Sequence, residues 1–78
     1  MLKTDLSADD QQRAQRAFRR GFACLMQAKS GETEALAGAI IYLKITLEWA
    51  LPETWPALWL EARTALNEAL QQRGSLLA

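Results

Sequence analysis

Arg13, Arg16, Arg19 and Arg20 form the densest grouping of one chemically capable residue type in the sequence. The spacings of three and four put Arg13, Arg16 and Arg20 on one face of a helix, with Arg19 beside them. Such a ridge could grip phosphates, with Gln12, Gln15 and Gln27 adding hydrogen bonds. It could equally be a solvated face, or one that pairs with the acidic part of the molecule. No basic residues elsewhere extend the patch, and nine Lys plus Arg are balanced by nine Asp plus Glu. No overall field therefore draws the chain to nucleic acid or to an anionic membrane.

Other reactive groupings are sparse. With no histidine, the sequence lacks both the commonest general base and the commonest metal ligand. Cys24 lies in the apolar stretch Phe22-Ala23-Cys24-Leu25-Met26 without an adjacent base, which reads as a packing thiol rather than a nucleophile. Glu32 and Glu34 fall at a helix start, where they complement the helix dipole, and no second acidic cluster joins them. There is no glycine-rich phosphate loop. The expectation is a chain that is not an enzyme and needs neither cofactor nor metal.

Trp49, Trp55 and Trp59 are the other conspicuous set. Tryptophan buries a large area and is over-represented at binding hot spots, and three in so small a chain are too many for the core alone. With Leu58 and Leu60 they make the expected protein-binding surface. Leu60 falls off the main apolar stripe of its helix and should be exposed.

Three helices would position these groups. Ser7, with Asp10 three residues on, reads as the cap of a first helix near Ala8 to Lys29. Its stripe, Ala14, Ala17, Phe18, Phe22, Leu25 and Met26, should face the core, with Gly21 on the same side to admit a neighbouring helix. Gly31 should end it in a left-handed conformation. A second helix, near Glu32 to Leu51, contains the densest apolar run, Ala35 to Leu51, and needs neighbours on two sides. From Leu43 to Trp49 apolar and polar residues also alternate as in a strand, which would require pairing with a second copy. Pro52 stops this element, and Thr54 caps a third helix reaching Arg73, with Gly74 closing it. The expected architecture is all-α, three antiparallel helices in one domain over residues 1–78, with tails at 1–7 and 75–78.

The totals agree with a small association-prone domain. Half of the 78 residues are hydrophobic and 23% are charged, a globular composition. A chain this short buries only about 60 to 65% of its unfolded surface, so association would help it. Charge is uneven, with an excess of basic residues up to Lys29 and of acidic ones after it. A single cysteine excludes an internal disulfide. The N-terminal MLKTDLSADD has no apolar core of signal-peptide length, and the longest apolar run carries Lys44 and Glu48. A cytoplasmic chain that does not enter membranes is expected.

The segment from Gly31 to Gly74 resembles the tetratricopeptide-repeat superfamily. Ala39, Ile40, Leu43, Thr46, Leu47, Glu48, Pro52, Trp55, Ala65 and Leu66 carry the likeness, while Ala62 and Arg63 depart from it. The resemblance implies a helical hairpin stack used for protein binding, here one and a half units. An up-down-up bundle predicts nearly the same pattern. Both lead to the same expectation, a protein–protein interaction module (adaptor, assembly factor or regulator) that forms a homodimer through apolar helix faces. The alternative is a nucleic-acid-binding helical module using Arg13, Arg16, Arg19 and Arg20.

Overall fold

Absence of Gly and Pro from the first twenty residues lets a helix propagate freely, since residues such as Ser and Asp cost only a few tenths of a kcal/mol, about 0.5, in a helix interior. In the computed structural model, which describes residues 2–77 and the side-chain surroundings of 9–75, α1 accordingly spans Leu2–Lys29. Ser7 is therefore inside the helix instead of capping it. α2 spans Ala35–Trp49 and α3 spans Pro56–Leu77. Among the described residues there is no strand, and Leu43 to Trp49 are helical.

The end of α1 follows from one glycine. Gly31 has φ 117°, the only positive φ among the described residues. That geometry lets the Gly31 amide donate to the Ala28 carbonyl at 3.1 Å and the Glu32 amide donate to the Gln27 carbonyl at 3.0 Å, the Schellman pattern that satisfies the last carbonyls of a helix. The turn consumes Glu32 to Glu34, so α2 starts at Ala35, later than its acidic residues suggested. At the other end Ala50 turns extended (φ −95°, ψ 103°), while its amide still donates to the Thr46 carbonyl at 2.8 Å. Residues 52–54 form a turn that starts at Pro52, closed by the Trp55 amide donating to the Leu51 carbonyl at 2.9 Å. α3 begins at Pro56, where a missing amide costs nothing because the first helical amides have no partner in any case. Thr54 thus belongs to the turn. Gly74, expected to stop α3, is helical, with nothing within 4 Å of where a Cβ would lie.

α2 lies between the other two helices, packed extensively on α1, less on α3, while α1 and α3 meet sparsely. Small residues allow the close approach. A Cβ on Gly21 would lie 2.8 Å from Leu43 Cγ and 3.1 Å from the Leu43 backbone nitrogen, so only glycine fits where α1 crosses α2. Leu25, Ala28, Leu36, Ala39, Ile40, Leu43, Ala65, Leu66 and Ala69 form the buried core. Thr46 is also fully buried, its hydroxyl donating to the Tyr42 carbonyl of its own helix at 2.9 Å. The molecule measures 49 × 18 × 14 Å with a radius of gyration of 13.4 Å. A compact chain of this length would have about 11.5 Å. α1, about 42 Å long, outruns α2 at about 22 Å and accounts for the elongation.

Candidate protein-binding surfaces

The arginine ridge is partly engaged within the molecule. α1 and α2 run antiparallel, so two turns along α1 from Arg13 to Arg20 match two turns back along α2 from Trp49 to Tyr42. The Arg13 guanidinium stacks 5.3 Å from the Trp49 ring centre, and that of Arg20 stacks 5.6 Å from the Tyr42 ring. Arg20 also donates to the Tyr42 hydroxyl at 3.1 Å, and Arg13 pairs with Asp9 at 3.4 Å. These contacts clip the flank of α1 to α2, each at about 0.5 to 1 kcal/mol for exposed cation–π pairs. Arg16 and Arg19 stay exposed and line a shallow hollow with Gln12 and Gln15. The sequence showed the spacing of the four arginines; the aromatic partners depend on the antiparallel register.

The expected tryptophan surface is distributed around one end of the molecule. Trp49 closes α2, Trp55 sits in the connection and Trp59 in the first turn of α3, and all three are half-buried. Leu58 is half-buried too. Leu60 is 60% exposed and points elsewhere, into a groove between α1 and α3.

That groove was not foreseen. It encloses about 600 Å³, with Phe18, Phe22, Leu60 and Ala65 supplying the apolar wall and Glu61 and Glu68 the acidic edge. Phe18 and Phe22 stack on each other with ring centres 5.7 Å apart. Lys29 forms an ion pair with Glu68 that bridges α1 to α3 at the groove's lower end. The α1 stripe was expected to face the core throughout. Ala14, Ala17 and Leu25 do, but Phe22 is 45% and Met26 48% exposed. The reason is geometric: α3 packs on α2 and leaves α1 largely uncovered on that side. The stripe was wider than one neighbouring helix could cover, and that width was the available signal.

A further exposed strip runs along the side of α2 that α1 and α3 leave uncovered, bordered by Arg73 of α3. Ala37, Ile41, Lys44 and Glu48 lie on it, and Ile41 is 56% exposed. Cys24 is half-buried with its Sγ 3.3 Å from where a Gly38 Cβ would lie, a thiol wedged between α1 and α2. Among the described residues no group of three or more Cys, Asp and Glu is placed to hold a metal ion, and no helix is long and apolar enough to cross a membrane. No protein-family model, no curated protein and no solved structure matches the chain.

Proposed function

We propose that this chain is a cytoplasmic protein–protein interaction module, acting as an adaptor, assembly factor or regulator without catalysis, and that it self-associates through apolar helix faces. The observation that carries this reading is the set of large apolar side chains left in solvent once all three helices have packed: Phe22 and Met26 on α1, Ile41 on α2, Leu60 on α3. Phe22 and Leu60 share the groove between α1 and α3 with Phe18, and exposed apolar side chains gathered in this way on a small chain mark an association surface. The half-buried tryptophan end adds aromatic area of the kind enriched at binding hot spots. Likeness of the α2–α3 hairpin to a tetratricopeptide unit supports the same class, since those hairpins bind protein. Stacking of Arg13 and Arg20 on α2 weighs against the nucleic-acid alternative, because it commits half of the arginine ridge to the fold.

Light scattering across a concentration series tests self-association. The expected mass rises from the 8.7 kDa of one chain toward twice that value. A mass that stays at one chain up to millimolar concentration overturns it.

A further inference from the structure

The outer strip of α2 has a charge pattern complementary to itself. Leu36, Ala39, Ile40, Leu43 and Thr46 are the buried positions of α2, directed at α1 and α3. At 3.6 residues per turn, the side opposite them holds Ala37, Ile41, Lys44 and Glu48, with Ile45 half-buried at its margin. An isoleucine more than half exposed sits at the centre of this strip. Lys44 and Glu48 follow it one turn apart, and among the described residues neither has an ion-pair partner.

We propose that this strip is the face on which two copies of the chain meet, α2 against α2 and antiparallel about a twofold axis. The proposal rests on the self-association reading and assigns it a surface. Reversing one helix brings Lys44 of each copy opposite Glu48 of the other, giving two ion pairs, whereas a parallel arrangement sets lysine against lysine and glutamate against glutamate. An axis midway between them, at the level of Thr46, places Ile45 beside its counterpart. Zero net charge lets identical copies approach without long-range repulsion.

The test measures mass by sedimentation equilibrium for the wild-type chain, Lys44→Glu, Glu48→Lys, the double variant, and an equimolar mixture of the two single variants. Both side chains are solvent-facing, and circular dichroism should show unchanged helix content. Each single variant places two like-charge pairs at the interface and is expected to weaken dimerisation by about tenfold or more. The mixture should form a heterodimer, because two glutamates on one copy meet two lysines on the other, and the double variant should recover wild-type affinity. A wild-type dimer whose affinity is unmoved across the whole series overturns this face and leaves self-association standing. A wild-type chain that stays monomeric overturns both.

Discussion

Replacing Gly21 by alanine should destabilise the protein, although the same change in a free helix stabilises. Gly→Ala in a helix interior gains about 1 kcal/mol from backbone entropy and propensity. At Gly21 the new methyl would sit 2.8 Å from Leu43 Cγ, 3.0 Å from Leu43 Cδ2 and 3.1 Å from the Leu43 backbone nitrogen. The side chain of Leu43 is fully buried, and a backbone nitrogen cannot rotate away. α1 and α2 must therefore separate locally, and overpacking of this kind costs about 1 to 3 kcal/mol. The balance is a net loss of up to about 2 kcal/mol, which in a domain of this size lowers Tm by as much as roughly 15 °C. Gly74→Ala is the control, because that glycine is helical with nothing within 4 Å of its would-be Cβ. It should gain a few tenths of a kcal/mol, about 0.5, in a terminal turn. Thermal unfolding followed at 222 nm, at one fixed protein concentration because association shifts Tm, compares the two. A Gly21→Ala variant that melts as high as Gly74→Ala would refute the close crossing of α1 and α2.

Two further outcomes follow from local geometry. Gly31→Ala forces a side chain into φ 117° at the Schellman turn and should cost about 1 to 2 kcal/mol by urea denaturation, with no compensating contact to relieve since nothing lies within 4 Å. If its midpoint matches the parent chain, the α1–α2 turn has a different conformation. For the clip on the flank of α1, a double-mutant cycle with Arg20→Ala and Tyr42→Phe should return a coupling of about 0.5 kcal/mol from the hydrogen bond lost with the hydroxyl, and Tyr42→Leu a larger one that includes the ring. Strict additivity in both cycles would mean that the two side chains do not interact.

The central position of α2 was legible because a helix apolar around most of its circumference can only be satisfied by neighbours on two sides, and Ala35 to Leu51 has that composition. The alternation from Leu43 to Trp49 was ambiguous on pattern alone. Burial of both Leu43 and Thr46, three apart, on the side facing α1 and α3 is what a helix does with it. Gly21 could be picked out as the glycine on the apolar stripe of α1, and Gly31 as the turn residue. Helix ends were less legible: Ser7 and Gly74 have the chemistry of a cap and a stop, but propagation through a helix-compatible neighbourhood prevailed at both. The exposed faces were least legible. Whether Phe22 or Ile41 is covered depends on the angle at which α1 and α3 embrace α2, a tertiary quantity that the spacing of apolar residues does not encode. The arginine ridge shows the same limit, since its aromatic partners lie on another helix and are selected by register.

The sparse meeting of α1 and α3 also shapes how the chain folds. Nearly every tertiary contact joins helices adjacent in sequence, α1 with α2 and α2 with α3, so the molecule behaves as a short one-dimensional stack. Loops to be closed are brief and contact order is low, which favours rapid folding through the α1–α2 hairpin and its Gly31 turn. Ala65, Leu66 and Ala69 nevertheless belong to the same buried core as Leu25 and Leu43, so withdrawal of α3 uncovers the hairpin's apolar side as well as breaking the Lys29–Glu68 bridge, and the three helices hold together as one cooperative unit.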